Sequence, residues 1–424
     1  MPIDLVKERF PVSVITDGDI VTQYLPIRSL WDGQERHVFT FNPQIKRVLF
    51  SCHGVGADAH RYADNGHDAA DAAGVRSETL VIAPQYANRA DLTVPEQLGV
   101  ERNVLYWQGG RFWGGLSSDS AFDRPVRISS FEAMDQMMAH VASSGLFPNL
   151  ETIVLAGQSG GGQFALRYAF ASNFTPPDGI QVRYIPMNPG SVVYASPKRV
   201  VPGETPHRFE VPLDSTLAGA LSAANTTDVT VDEFKDTYDD YGYGFENLDR
   251  YAYLKGLDRD TLITRFRDRP VAYLIGENDN QPSAANLPSN PAAHLQGAHR
   301  LERSEVFEHH LRDEGVWNTF NHVRRVVPGV GHNGRATMMS DIGLWYLFGH
   351  EVPQSPSLSF EMAADFLEAV ELINTALPGR GPVGPRTPDS VVARPTNALS
   401  ARRAAAAAAK PPARTAFSRR DLGG

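Results

Sequence analysis

Residues 153–166 read IVLAGQSGGGQFAL, and this stretch decides the fold of the chain. An apolar, β-branched run leads to Ser159, which is flanked by Gly157 and Gly161 in a GxSxG pattern, and an amphipathic run follows. This order predicts a buried strand, a sharp turn that strains the serine backbone, and a helix. At such a turn the hydroxyl stands at a helix N-terminus, where free amides and the helix dipole favour negative charge. The segment therefore predicts a nucleophile at Ser159.

Strands and helices alternate through most of the chain, which predicts an α/β fold with a mostly parallel central sheet and helices on both faces. Residues 190–268 interrupt this alternation, and a connection of that length predicts a lid or an inserted subdomain. We place one domain over residues 1–377, with that insertion. We expect strands over 47–52, 80–83, 182–185, 271–275 and 322–327, helices over 57–73, 131–141, 301–311, 336–348 and about 359–376, and an antiparallel run over 12–42.

From residue 378 the composition changes to Pro, Gly, Ala and Arg, which predicts a disordered, solvated tail over 378–424. The 424-residue chain has a net charge of −9. Residues 380–424 hold nine Lys and Arg and two Asp and Glu, giving +7, so residues 1–379 hold 31 and 47, giving −16. An acidic body disfavours nucleic acid as a partner, because binding phosphates needs a basic face.

Cys52 is the single cysteine of the chain, which excludes an internal disulfide and a cysteine-rich metal site. No HExxH or clustered Asp and His pattern is present, so we expect no metal and no cofactor. The first ten residues carry charges without an apolar signal-peptide core, and no segment approaches the roughly 18 to 20 apolar residues of a membrane span. We therefore expect a cytoplasmic location and no membrane span, and the sequence leaves the oligomeric state open.

A serine nucleophile needs a base to take its proton and a third group to hold that base. The predicted strand over 271–275 leads into Gly276-Glu277-Asn278-Asp279, and the strand over 322–327 leads into a glycine-rich loop that carries His332. Flanking glycines permit the tight loop that a base reaching across a sheet edge requires, so His332 is the predicted general base. Asp279 is favoured as its acid, Glu277 stays an alternative, and either carboxylate can instead cap a helix.

Acyl transfer also needs amide donors for the oxyanion. The amide of Gly160, directly after the serine, is one candidate. The second is expected from the loop Cys52-His53-Gly54-Val55-Gly56 after the first central strand, with Val55 favoured; a simple glycine turn is the alternative interpretation. His53 is expected to order this loop rather than act as the base.

Taken together, HGVG at 53–56, GQSGG at 157–161, GEND at 276–279 and GVGHNG at 329–334 resemble the α/β-hydrolase family, in the family's order and over residues 40–350. The resemblance implies an eight-stranded, mostly parallel sheet and serine hydrolase chemistry. By position it implies Ser159 as nucleophile, His332 as base, Asp279 as orienting acid, and Val55 and Gly160 as oxyanion donors. Esterases, lipases, peptidases, lactonases and thioesterases share this fold, so the substrate stays open.

A weaker likeness is to feruloyl esterases and polyhydroxybutyrate depolymerase-type enzymes, although these commonly carry disulfides that a single cysteine cannot form. The chain is also similar to bacterial hydrolases of unassigned substrate that share motifs such as MNPGS at 187–191 and YGFENL at 243–248.

Two aromatic segments are expected to border the pocket, one with Trp107, Arg111 and Trp113 and one with the tyrosines and Phe245 of the insertion. Arg111 can meet a substrate carboxylate or form a surface ion pair. The aromatic residues can equally pack a lid onto the body. We predict a hydrolase for small-molecule or polymeric carboxylic esters, with amide hydrolysis or acyl transfer on the same residues, or a non-catalytic binding protein, as alternatives.

Overall fold

The computed structural model describes residues 9–16, 19–26, 41–87, 105–107, 112–118 and 127–349. Ten strands lie in these ranges: β1 Arg9–Thr16, β2 Asp19–Pro26, β3 Arg47–Cys52, β4 Thr79–Pro84, β5 Thr152–Gln158, β6 Gln181–Met187, β7 Arg199–Val200, β8 Phe209–Glu210, β9 Val271–Gly276 and β10 His322–Val327. The same ranges hold ten helices: α1 Ala59–Ala72, α2 Ser130–Ser143, α3 Gly160–Ala171, α4 Asp214–Ala223, α5 Val231–Lys235, α6 Arg259–Arg267, α7 Pro291–His294, α8 Arg300–Asp313, α9 Gly334–Met339 and α10 Asp341–Phe348.

Eight of these strands form one sheet in the order β10-β9-β6-β5-β3-β4-β1-β2. The six strands from β10 to β4 are parallel, and the hairpin of β1 and β2 adds two antiparallel strands at one edge. Strands β3 and β9 are buried along their whole length, as expected where helices cover both faces of a parallel sheet. The predicted α/β class and the mostly parallel sheet are confirmed.

Helix α3 is the central helix of the fold, and all twelve of its residues are buried. The helix follows β5 directly, and its Phe164 and Tyr168 rings stack one turn apart with centroids separated by 5.7 Å. Phe131 of α2 meets both rings edge-on. This packing holds the N-terminal end of α3 in a fixed position at the carboxyl edge of the sheet.

The predicted single helix over 336–348 is wrong. Ser340 has φ −69° and ψ 156°, an extended conformation that ends α9 and begins α10. Its Oγ accepts a hydrogen bond from the Gly343 amide at 2.9 Å, which is a helix N-cap. A serine inside an amphipathic pattern therefore serves here as a cap between two short helices.

The insertion over 190–268 contains the two-stranded sheet of β7 and β8 and the helices α4, α5 and α6. The predicted tail over 378–424, the predicted helix over 359–376 and most of the connection over 87–128 lie outside the described residues. No helix in the described ranges is both long and apolar enough to span a bilayer.

Candidate active site

Ser159 lies on a sharp turn between β5 and α3. Its φ of 57° and ψ of −112° are unusual for a residue with a side chain, and such strain is typical of functional sites. The glycines around it are required, because a Cβ on Gly157 would overlap the Gly161 carbonyl and a Cβ on Gly161 would lie 2.5 Å from the Cys52 carbonyl oxygen. The amide of Ser159 donates to the Met187 carbonyl at 2.9 Å, which fixes the turn to the end of β6.

Asp279 and His332 come together at the same edge of the sheet. The Nδ1 atom of His332 lies 2.7 Å from Oδ2 of Asp279, whose side chain is only 2% exposed. Their two loops are also joined by the backbone, because the Asn278 amide donates to the Val330 carbonyl at 2.8 Å. A carboxylate in this position fixes the imidazole orientation and leaves Nε2 to exchange a proton.

The loop of His332 lies against the serine turn. A Cβ built on Gly334 would lie 3.0 Å from Cγ of Gln158, the residue before Ser159. No hydrogen bond joins Ser159 Oγ to His332 Nε2 in the described part of the chain.

Two backbone amides lie close together beside the serine turn. A Cβ on Gly160 would lie 3.5 Å from the Val55 nitrogen, so the loop after β3 meets the first turn of α3. Among the described residues, neither the Val55 amide nor the Gly160 amide donates a hydrogen bond. Two free N–H groups beside Ser159 are an arrangement suited to a developing oxyanion.

A serine on a strained turn after the central strand β5 is thus combined with an Asp that follows β9 and a His that follows β10 in the same parallel sheet. The chain has the α/β-hydrolase fold. In this fold the chemically reactive side chains lie at the carboxyl ends of the strands. Ser159, Asp279 and His332 lie there in this chain.

Asn188, directly after β6, connects the ends of the two neighbouring strands β5 and β9 to helix α9. It is fully buried with φ 43°, and its Nδ2 donates to Gln158 Oε1 at 3.0 Å and to Thr337 Oγ1 at 3.2 Å. Its Oδ1 accepts from the Gly276 amide at 2.8 Å. One side-chain amide therefore joins the residue before Ser159, the end of the strand that leads to Asp279, and the helix that follows His332.

The other titratable candidates at this edge have different roles. His53 is buried, with Nε2 accepting from the Tyr86 amide at 3.0 Å and Nδ1 2.7 Å from the Gly54 carbonyl, so it orders the loop that carries Val55. Glu277 accepts from the Gly329 amide at 2.7 Å and so holds the loop of His332 without contacting its ring.

Arg300 lies behind Asp279. Its Nη1 is 3.4 Å from Asp279 Oδ1, the carboxylate oxygen that does not face His332, and its side chain is 1% exposed. Burial lowers the pKa of this guanidinium, while the nearby Asp279 opposes that effect. The carboxylate is therefore held between a buried cation and the imidazole.

Two cavities lie beside residues that surround the serine turn, one lined by His332 and the other by Val55. The larger, of about 650 Å³, is polar and is lined by His332, Asn333, Gly334 and side chains of α1 such as Tyr62 and Asp68. The smaller, of about 340 Å³, is called here the aromatic cavity. It is lined by Val55, Trp113, Gly114, Leu116, Gln163, Arg167, Ser191, Tyr241, Gly242, Tyr243, Tyr251, Asn286, Pro288 and Asn290.

Only some of the residues predicted to border the pocket line the aromatic cavity. Trp113 lines the aromatic cavity, as do Tyr241 and Tyr243 of the insertion. Trp107 was expected there too, but it is a core residue, fully buried, with its ring against Tyr86 and its Nε1 donating to the Leu116 carbonyl at 2.9 Å. Arg111 lies outside the described residues.

Sequence reasoning missed Arg167 and Arg300. Arg167 lies on α3, two turns after Ser159, and lines the aromatic cavity although only 4% of it is exposed. Its position in an amphipathic run gave no sign of burial. Within the described ranges, no group of three or more His, Cys, Asp and Glu side chains is arranged to hold a metal ion.

Similar architectures occur among solved structures. A poly(3-hydroxybutyrate) depolymerase from Bordetella parapertussis is 22% identical over 75% of this chain and 84% of its own, with a TM-score of 0.43. Poly(aspartic acid) hydrolase-1 from Sphingomonas sp. KT-1 is 18% identical over 78% and 96%, with a TM-score of 0.44. Acetyl xylan esterase 1 from Thermoanaerobacterium sp. JW/SL YS485 is 14% identical over 82% and 86%, with a TM-score of 0.33.

No protein-family model and no curated protein matches the chain. At these identities and TM-scores the similar structures say nothing about its substrate.

Proposed function

We propose that this protein is a serine hydrolase that cleaves carboxylic esters through an acyl-enzyme. The observation that carries the proposal is the 2.7 Å contact between His332 Nδ1 and Asp279 Oδ2 at the sheet edge where Ser159 occupies a strained turn. A base held by a buried carboxylate beside a serine is the arrangement that acyl transfer requires.

In the proposed reaction, Ser159 Oγ attacks the ester carbonyl while His332 Nε2 takes the hydroxyl proton. The amides of Val55 and Gly160 stabilise the oxyanion, and the imidazolium then gives its proton to the leaving alcohol as the C–O bond breaks. Water, deprotonated by the same imidazole, attacks the acyl-enzyme and releases the acid and the free serine.

Ser159→Ala should abolish labelling by a fluorophosphonate probe and reduce turnover of p-nitrophenyl acetate by about 10⁴-fold or more. Asp279→Asn should reduce turnover by about 10⁴-fold, because an amide no longer selects the imidazole tautomer that accepts the proton. Ser222→Ala, at an exposed serine of α4, is the matched control and should leave both signals unchanged.

Comparison of p-nitrophenyl acetate with p-nitroanilide substrates and with added acceptor alcohols distinguishes ester hydrolysis from amide hydrolysis and acyl transfer. Labelling that persists in Ser159→Ala would overturn the assignment of the nucleophile. Absence of both labelling and turnover in the unmodified protein would favour a non-catalytic binding protein with this fold.

A further inference from the structure

Arg167 is a buried cation at the aromatic cavity, and every group it contacts is neutral. Nη1 donates to the Trp113 carbonyl at 3.3 Å and to Gln163 Oε1 at 3.2 Å, and Nη2 donates to Ser191 Oγ at 3.0 Å and to the Gly242 carbonyl at 2.8 Å. No carboxylate in the described part of the chain forms an ion pair with it. Its charge is therefore uncompensated in a place from which water is largely excluded.

The other buried arginines differ from Arg167. Three of them pair with carboxylates within the described ranges: Arg47 with Glu78, Arg199 with Asp239, and Arg300 with Asp279. Arg303 lacks such a pair, but its three guanidinium nitrogens donate to the carbonyls of Gly297, Gly190 and Pro288, and it does not line the cavity. Arg167 combines burial, missing counter-charge and a position at the cavity wall.

Helix geometry places this charge within reach of the nucleophile. Arg167 follows Ser159 by eight residues, so a rise of 1.5 Å per residue separates their α-carbons by about 12 Å along α3. Helical side chains lean toward the helix N-terminus, which brings the guanidinium back toward the serine. Trp113 spans the interval, because its ring would meet a Cβ on Gly160 at 2.9 Å and its carbonyl accepts from Arg167.

A second group beside Arg167 lacks a partner. The Tyr241 hydroxyl is buried and makes no hydrogen bond among the described residues, and its ring lines the same cavity. The phenol and the guanidinium are close enough to influence each other electrostatically. A carboxylate bound between them can accept a hydrogen bond from the Tyr241 hydroxyl and balance the positive charge of the Arg167 guanidinium.

We propose that the aromatic cavity binds a free carboxylate of the substrate on Arg167, so that the natural substrate is an ester that also carries an acid group a few bonds from the reacting carbonyl. This inference rests on the proposed ester hydrolase function and narrows its substrate class. Both the half-ester of a dicarboxylic acid and the ester of a hydroxy acid with a free terminal carboxylate have this chemistry.

The physical reason is the cost of burying an unpaired charge. Burial lowers the pKa of Arg167, because desolvation disfavours the charged form. Neutral acceptors take up the four Nη hydrogens and offset only part of that desolvation, whereas the Nε–H has no partner among the described residues. A carboxylate supplies the missing negative charge and a charge-assisted hydrogen bond, which is roughly twice as strong as a neutral one. A purely structural role, joining α3 to the insertion, requires only the hydrogen bonds of the guanidinium and not its positive charge.

The test compares esters that differ only in one charge. The first pair is mono-p-nitrophenyl glutarate and its methyl-capped diester, which place the carboxylate on the acyl side. The second pair is 4-acetoxybutyrate and its methyl ester, which place it on the alcohol side. The spontaneous rate of each ester is subtracted. We expect kcat/KM to be about 10- to 100-fold higher for the free acid in one of the pairs, and the pair that responds identifies the source of the carboxylate.

Arg167→Gln should bring this ratio close to one while p-nitrophenyl acetate is still hydrolysed, and Arg167→Lys should retain part of the preference because it keeps the charge. Arg269→Gln is the matched control. Arg269 donates to carbonyls at the other end of α3, namely Ala169 at 2.7 Å and Ser172 at 2.7 Å, and it does not line the cavity. This variant should keep the full preference.

Equal rates for free and capped esters in both pairs, or an unchanged preference in Arg167→Gln, would overturn the inference while leaving the ester hydrolase proposal intact. Failure of fluorophosphonate labelling and of all ester turnover would instead contradict the proposed function. A binding measurement then decides the inference alone. Glutarate titrated into Ser159→Ala, followed by tryptophan fluorescence, should bind in an Arg167-dependent way, and absence of binding would refute the anion site.

Discussion

Asn188→Ala is expected to destabilise the protein and to disturb the candidate active site together. The substitution removes three buried hydrogen bonds, to Gln158, Thr337 and Gly276. At a net contribution of about 1 kcal/mol each, their loss lowers the free energy of unfolding by about 3 kcal/mol. Alanine at φ 43° adds about 1 kcal/mol, because a left-handed backbone is less favourable for it than for asparagine. The expected total is about 4 kcal/mol.

Two further variants separate these contributions. Asn188→Gly loses the same hydrogen bonds but tolerates the backbone, so it should cost about 3 kcal/mol. Asn225→Ala is the matched control. Asn225 also has a left-handed backbone, with φ 51°, but it is exposed and its side chain makes no hydrogen bond in the described part of the chain. That variant should lose only about 1 kcal/mol.

Urea unfolding followed by tryptophan fluorescence measures these differences by linear extrapolation. The rate of fluorophosphonate labelling, measured without urea, reports on the geometry of Ser159. We expect both Asn188 variants to label more slowly than Asn225→Ala, because the turn of Ser159 and the helix after His332 lose their common contact. An Asn188→Ala protein no less stable than Asn225→Ala would refute the reasoning.

Two other predictions concern packing and pH. Gly157→Ala should destabilise the protein by more than about 3 kcal/mol in urea unfolding, because the alanine Cβ would overlap the Gly161 carbonyl. The control Gly219→Ala lies in α4 with open space around the new Cβ, so it should stabilise the protein by about 0.5–1 kcal/mol. Equal effects would contradict this. Burial, with smaller contributions from the cations Arg199 and Lys198, holds the pKa of His310 well below 6.5. As pH falls, the unfolded chain therefore binds the proton before the folded protein does. The free energy of unfolding should decrease below about pH 6.5, by up to about 1.4 kcal/mol per pH unit. His310→Gln keeps an acceptor for the Ala195 amide and should show a shallower decline in thermal unfolding between pH 6.5 and 5; an unchanged slope would exclude His310 as the cause.

Local pattern predicted the sheet well, because its central strands are buried on both faces and appear as short apolar runs. The strand predicted over 47–52 has those bounds, and the strand predicted over 271–275 ends one residue later. The order of Ser159, Asp279 and His332 along the chain was likewise readable, since each follows a predicted strand and such residues meet at one edge of a parallel sheet.

What the sequence could not reveal depends on contacts between distant segments. The motif at 187–191 was visible, but the role of Asn188 depends on partners 30, 88 and 149 residues away. Arg167 resembled a solvent-facing residue because an amphipathic pattern assumes one exposed face, whereas α3 is buried on all sides. The prediction that Trp107 borders the pocket was wrong. It lies in a polar connection of the sequence, which suggested an exposed position, but the tryptophan ring is buried in the core.

The buried position of Cys52 makes the centre of the sheet chemically observable. The thiol is fully buried at the end of β3, directly before the loop that carries Val55, and burial raises its pKa. A thiol reagent can react only with molecules in which that strand has opened, and the chain has no other cysteine to compete. The rate at which Cys52 is modified therefore measures how readily the strand beside the candidate oxyanion loop opens, and no cysteine or other label has to be introduced.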